Sequence, residues 1–270
     1  MVHQIYADIK SSILFLSRLP MSFSLHAPLP DFARTPWAFA IAGMLIALPA
    51  AILLWATRES GLSTPLCAIL SVCVMMLVTG ALHEDGLADT VDGFWGGHSK
   101  ERKLEIMRDS SIGTYGVLAL IISVGLRIAL IWQLIAAVGA MNAALVLVAI
   151  AGLSRAAMLQ PWALLPAART ATSHTPDGQK KDEAGLSARY GLPSRKILVI
   201  GLFAALPAAA LLVWSSGWQN ALLGLVLFQL TIWAVMQLSR RHIAGHTGDT
   251  LGATQQLSEL GLLLGLVWTM

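Results

Sequence analysis

From Trp37 to Thr57, and again from Leu62 to Leu82, the chain runs without a single charged residue. A helix needs about 20 mostly apolar residues to cross the hydrocarbon core of a bilayer. Five further stretches meet that demand, giving seven expected spans at about 37–57, 62–82, 116–137, 141–163, 197–215, 219–238 and 251–269. The third holds one charge, Arg127, the fourth holds Arg155, and the last holds Glu259. Continuous apolar runs of this length are not the alternating ten-residue segments of a membrane β-barrel. The expected fold is therefore an all-α, polytopic membrane helix bundle.

Composition agrees. Only 12% of the 270 residues are charged, against 56% hydrophobic, and the mean hydropathy is +0.69. A soluble domain carries about 25% charged residues to cover its surface, so a water-soluble globule, a disordered chain and a nucleic-acid-binding module are excluded. The net charge of +3 is best understood from where the charges lie. Lys10, Arg18 and Arg34 precede the first span, Lys100, Arg102, Lys103 and Arg108 follow the second, and Arg240 and Arg241 follow the sixth. Arg169, Lys180, Lys181, Arg189, Arg195 and Lys196 follow the fourth, while the intervening connections hold Arg58 alone. Cationic loops on alternate connections place those loops and the N-terminus in the cytoplasm.

The whole chain, 1–270, reads as one membrane-embedded domain. Within it, 1–36 is a cytoplasmic amphipathic segment, since Ile5, Ile9, Ile13 and Leu16 recur at helical spacing beside Lys10 and Arg18 and end at Pro20. No cleavable signal peptide is expected. Cys67 and Cys73 both fall inside the second span and read as packing residues, not as a disulfide or a zinc site. The longest polar segment without a helical pattern is the loop 166–196, with His174, Pro176, Asp177 and Gly178.

Seven of the fifteen acids are concentrated in 83–112, a cytoplasmic segment read as catalytic. It opens His83-Glu84-Asp85-Gly86-Leu87-Ala88-Asp89-Thr90-Val91-Asp92-Gly93. Asp85, Asp89 and Asp92 are spaced i, i+4, i+7, which puts three carboxylates in a single stripe on a helix. Like charges at that spacing repel, and no basic residue lies within four positions of the stripe. A hard divalent cation held by oxygen ligands offsets the repulsion, and Mg²⁺ commonly takes one or two carboxylates together with substrate phosphates. The plainer alternative is a solvated acidic face.

Two further polar blocks adjoin spans on the same side. Arg108-Asp109-Ser110-Ser111-Ile112-Gly113-Thr114 leads into the third span, and its Gly and Ser N–H groups at a helix start suit an anion, with Arg108 able to add a bidentate phosphate contact. Gly245-His246-Thr247-Gly248-Asp249-Thr250 precedes the last span, where Asp249 could complete a metal shell and His246 reads as a loop histidine. Glu259 is an ionisable group at membrane depth, a functional candidate by default or a partner for Arg127 or Arg155.

HEDGLADTVDG (83–93), LEIMRDSSIGTYGVLAL (104–120) and GHTGDTLGATQQLSELG (245–261) together resemble the cobalamin synthase family of membrane enzymes, the adenosylcobinamide-GDP ribazoletransferases, as does Phe15-Leu16-Ser17-Arg18-Leu19-Pro20. The resemblance runs nearly end to end, with the same number and order of spans. Glu84 departs from it, standing where an apolar residue is expected. The resemblance implies a Mg²⁺-dependent enzyme of the inner membrane that completes the nucleotide loop of cobalamin. Adenosylcobinamide-GDP and α-ribazole, or its 5′-phosphate, would give adenosylcobalamin, or its 5′-phosphate, and GMP. The chemistry then assigns Asp85, Asp89 and Asp92 as metal ligands, with any member of the stripe not committed to metal able to take the hydroxyl proton and Asp92 or Asp109 the preferred base. Arg108, Ser110 and Thr114 would grip phosphate, with Thr247 and Asp249 closing the site. Association with other nucleotide-loop enzymes, or between copies of the chain, is compatible with it.

Two other readings compete. CDP-alcohol phosphotransferases also use aspartates at helical spacing, but place Ala-Arg after Asp-Gly-x-x, whereas Gly86-Leu87-Ala88 leads straight to Asp89. A cation transporter would put its ionisable groups near the bilayer midplane, and here they crowd the cytoplasmic rim.

Overall fold

A computed structural model of the chain describes residues 2–20, 31, 33–169, 191–268 and 270. The polar loop 166–196 therefore lies largely outside the described residues, with His174, Asp177, Lys180, Lys181 and Arg189. Eleven α-helices are present among the described residues: α1 (Val2–Leu16), α2 (Phe39–Glu59), α3 (Thr64–Thr79), α4 (Leu82–Gly96), α5 (Lys100–Ile106), α6 (Thr114–Ala157), α7 (Leu159–Leu164), α8 (Arg195–Ala204), α9 (Leu206–Ser216), α10 (Trp218–Ile243) and α11 (Gly248–Trp268). A single 3₁₀ turn, Thr35–Ala38, leads into α2.

The distribution of side chains inverts that of a soluble protein. Trp214, Leu77, Phe203 and Ile121 are among the most exposed residues, while Arg127, Arg155, Gln255 and Gln256 are buried. Large apolar side chains facing outward in this number need a lipid solvent. The bundle is all-helical, with four helical stretches long and apolar enough to cross a membrane: Thr35–Glu59, Thr114–Leu164, Arg195–Ser216 and Trp218–Ile243. A fifth arises if α3 and α4, bent by 87° across Gly80 and Ala81, count as one.

These stretches do not correspond one to one with the seven expected. The third and fourth fall in the one helical stretch 114–164, interrupted at Gly139, where φ is +79°. The seventh, α11, is too polar to qualify, and its polarity is turned inward: Thr250, Thr254, Gln255, Gln256, Ser258 and Glu259 are all buried. It is the central helix, packed against α4, α6 and α10.

A buried charge network ties the centre together. Arg127 Nη1 donates to Glu84 Oε1 at 3.0 Å, and its Nε lies 3.1 Å from Glu259 Oε1. Arg127 Nη2 also donates to Gln256 Oε1. Gln255 Nε2 donates to Glu259 Oε2 at 2.6 Å, and Arg155 Nη1 is 3.9 Å from the same oxygen. Two arginines and two glutamates balance in charge, as buried ions must. Glu259 and both intramembrane arginines are thus partners of one another. Glu84 points into this network and supplies an anion for Arg127.

The amphipathic segment forms α1, whose Ile13 and Leu16 pack with Phe39, Ile46 and Trp162 in a small core of their own. Asp8, on the buried face of α1, accepts hydrogen bonds from Gln4, Arg34 and Trp37. Cys67 is buried, Cys73 is exposed, and both are free thiols.

Candidate active site

The acidic stripe lies on α4, and a glycine pair decides what it faces. A Cβ at Gly86 would lie 2.9 Å from the Asp249 carbonyl oxygen and 3.2 Å from Gly252 Cα. A Cβ at Gly252 would in turn meet Gly86 Cα at 3.3 Å. With neither side chain present, α4 and α11 touch backbone to backbone, the small-residue packing that membrane helices favour. Asp249, at the start of α11, is thereby set beside Asp85 and Asp89.

The electrostatic result is concentrated on Asp89. Burial first, then the carboxylates of Asp85, Asp249 and Asp92, push its carboxyl up to about 7, against the pull of Arg169. Burial likewise raises Asp249, opposed by Arg169 and by Thr247, whose Oγ1 donates to Asp249 Oδ2 at 3.2 Å. Thr247 also accepts from the N–H of Thr250, so the two threonines and Asp249 form one turn at the start of α11.

Asp92 is placed differently from the rest of the stripe. Its Oδ2 accepts from the Gly113 N–H at 2.8 Å and its Oδ1 from the Gly116 N–H at 2.9 Å. A Cβ at either glycine would lie within 2.5 Å of an Asp92 oxygen. The carboxylate therefore caps α6 from outside its own helix, satisfying N–H groups that have no partner in the first turn. Asp92 anchors the 108–116 block to the stripe.

That block is otherwise open to solvent. Arg108, Asp109, Ser110 and Thr114 are exposed. Asp109 Oδ1 accepts from the Ser111 N–H at 2.9 Å, and hydrogen bonds from Ser111 hold its carboxyl below the usual range. The charge of Arg102 acts in the same direction.

Arg169 was not singled out by sequence reasoning, where it counted only as one of the loop's cations. It reaches Asp249 Oδ2 at 3.6 Å and donates to the Leu104 carbonyl at 3.4 Å. Its position follows from a short backbone bridge: the His246 N–H donates to Pro166 O and the Ala168 N–H to His246 O, both at 2.9 Å. His246, buried, has Nδ1 3.0 Å from Leu165 O and so takes part in this splint. Residues 165 and 246 are far apart in the chain, and no local pattern announces that they meet.

Among the described residues, no three His, Cys, Asp or Glu side chains converge tightly enough to enclose a cation unaided. The donor set is nonetheless all hard oxygen: the carboxylates of Asp85, Asp249 and Asp92 all bear on Asp89, opposed there by Arg169. That fits Mg²⁺, whose shell is commonly completed by phosphate oxygens and water.

Beside Asp85 and Asp249 opens a pocket of about 210 Å³, lined also by Phe15, Phe39, His83 and Trp162. Sequence reasoning missed it, because its walls come from α1, α2, α4, α7 and α11.

A family model described as cobalamin-5-phosphate synthase matches residues 8–267. An adenosylcobinamide-GDP ribazoletransferase of Azorhizobium caulinodans is 42% identical, over 98% of this chain and 96% of its own. Those of Sinorhizobium medicae and Bradyrhizobium diazoefficiens are each 40% identical, over 97% of this chain and 96% and 94% of theirs. No solved structure matches the chain. With the acidic helix, the Gly113–Gly116 block and the α11 turn all inside the matched span, the chain belongs to the cobalamin-5-phosphate synthase family.

Proposed function

We propose that the chain joins adenosylcobinamide-GDP to α-ribazole or its 5′-phosphate, releasing GMP, at the cytoplasmic face of the inner membrane. The relatives named for this transfer support the reaction. The observation that carries the site is the Gly86–Gly252 contact, which sets Asp249 against Asp85 and Asp89.

In this reading Asp85 and Asp249 would hold Mg²⁺, Asp89 stands beside them as the proton acceptor, and Asp92 is the support that fixes the α6 start. The ion, when bound, supplies positive charge to the diphosphate and its developing oxyanions. A ribose hydroxyl attacks the phosphorus attached to the corrinoid, the bond from that phosphorus to the bridging oxygen breaks, and GMP leaves with that oxygen. Asp92 and Asp109 have oxygens engaged by backbone N–H groups, so the hydroxyl proton passes to Asp89. Arg169 and Arg108 offer guanidinium charge to the phosphates, joined by Ser110 and Thr114 from the exposed block, while Thr247 holds the Asp249 carboxylate.

Seven crossings fit the length of the chain. The stretch Thr114–Leu164 is 51 residues long, and at about 1.5 Å per residue it is more than twice the roughly 30 Å of a bilayer core. It therefore crosses twice, turning at Gly139, and α11 crosses inside the bundle, screened from lipid.

The test is turnover by the purified protein. Adenosylcobinamide-GDP, α-ribazole 5′-phosphate and Mg²⁺ together should yield GMP and the 5′-phosphate of adenosylcobalamin in equal amounts, with none formed in EDTA. GMP released at the same rate without ribazole would mark a hydrolase and overturn the reading.

A further inference from the structure

The pocket beside Asp85 and Asp249 has a composition the phosphate chemistry does not explain. Its interior wall is Phe15, Phe39, Leu82, Met158 and Trp162, and it carries no Lys or Arg. Phe15 and Phe39 stack at 5.9 Å between centroids, and Trp162 leans on Phe39 at 6.1 Å. Such walls suit a flat, uncharged ring and repel a diphosphate.

Polar groups interrupt them at His83, Asp85, Asp249 and the Trp162 Nε1. His83 is 2% exposed, lines the pocket, and neither ring nitrogen has a hydrogen-bond partner. Leaving a buried polar group unsatisfied costs about 1–3 kcal/mol, and native proteins rarely tolerate it without a reason. A ligand ring that offers a nitrogen or hydroxyl at that point removes the penalty.

Size narrows the ligand. A cavity of about 150 Å³ accepts benzene, so about 210 Å³ suits a ring system of one or two cycles and is far too small for a corrin macrocycle. The carboxylates fix its direction: a base seated on His83 and the aromatics points its sugar toward Asp85 and Asp249.

We propose that this pocket is the subsite for the planar base of the incoming ribonucleoside, with His83 as its polar anchor. The inference rests on the transferase reading for the identity of the nucleoside. Guanine, on the leaving nucleotide, presents a full edge of donors and acceptors, which a lining rich in Phe15, Phe39, Leu82 and Met158 leaves largely unsatisfied.

Two substitutions test it. His83→Phe keeps the ring and removes the anchor, while Leu82→Trp adds bulk at a position already 43% exposed. Binding of α-ribazole alone to detergent-purified protein, measured by calorimetry without donor or metal, should weaken roughly tenfold in each, about 1.4 kcal/mol. In turnover, the KM for α-ribazole 5′-phosphate should rise similarly while that for adenosylcobinamide-GDP stays within about twofold. Ligand-free His83→Phe protein should melt no lower than wild type, since it loses an unsatisfied polar group, and a purely structural histidine would not behave so. A KM change confined to adenosylcobinamide-GDP, or unchanged α-ribazole binding in both variants, overturns the assignment. Wild-type protein that binds α-ribazole in this pocket but releases no GMP would sink the transferase reading and leave the subsite standing.

Discussion

At the scale of single residues, three aspartates that look equivalent in the sequence have different surroundings. Asp89 sits among like charges, and its substitution relieves repulsion; Asp92 spends both oxygens on the Gly113 and Gly116 N–H groups. Asp92→Asn would turn an amide N–H toward one of those donors and lose a charge-assisted bond, at a cost of about 1.5–3 kcal/mol. We expect a lower melting temperature in detergent and faster hydrogen exchange over 113–116. Asp89→Asn should keep or raise the melting temperature while cutting turnover by roughly 10²–10⁴-fold, the usual contribution of a proton acceptor. Equal stability of the two variants would show that Asp92 does not cap α6. The spacing i, i+4, i+7 reveals that the three share a face, but not that the third meets the start of another helix.

At the scale of elements, the packing of α4 on α11 is what makes a site from two separate motifs. The Gly86 Cβ would press on the Asp249 backbone at 2.9 Å, while the contacts at Gly252 are no closer than 3.3 Å. Gly86→Ala should therefore be the more damaging, with kcat falling about 10²-fold, the loss expected from a shift of about 1 Å in reacting groups. Gly252→Ala should fall by less, and both variants should elute as wild type on size exclusion. If Gly252→Ala is the worse of the two, the helices meet in another register. The sequence displays both glycines inside polar motifs, but pairing across helices is tertiary and has no local signature. Four apolar stretches, 35–59, 114–164, 195–216 and 218–243, were legible because lipid imposes length and uniform hydropathy on any helix it surrounds. α11 is not among them: protein surrounds most of it, so Gln255, Gln256 and Glu259 could be spent on the Arg127 network.

At the scale of the whole molecule, the positions of the charges and the turn at Gly139 jointly predict a specific threading of the membrane. Lys and Arg gather between α3 and α6 and after α10, whereas the connections at Ser60, Gly139 and Gly217 carry almost none. Charge at short loops sets orientation, so those three connections should face outward and His98, between α4 and α5, should face the cytoplasm. Replacing Cys67 and Cys73 by alanine leaves a chain free of cysteine, into which one cysteine can be placed at 60, 98, 139 or 217. A membrane-impermeant maleimide should label positions 60, 139 and 217 in spheroplasts, and position 98 only after the membrane is opened. Position 139 is the decisive one. If it stays unlabelled until lysis, the long α6 stretch does not cross twice, the second half of the chain reverses its orientation, and Asp249 is carried to the opposite face from Asp85. The Gly86–Gly252 contact forbids that separation, so the labelling pattern and the active site stand or fall together.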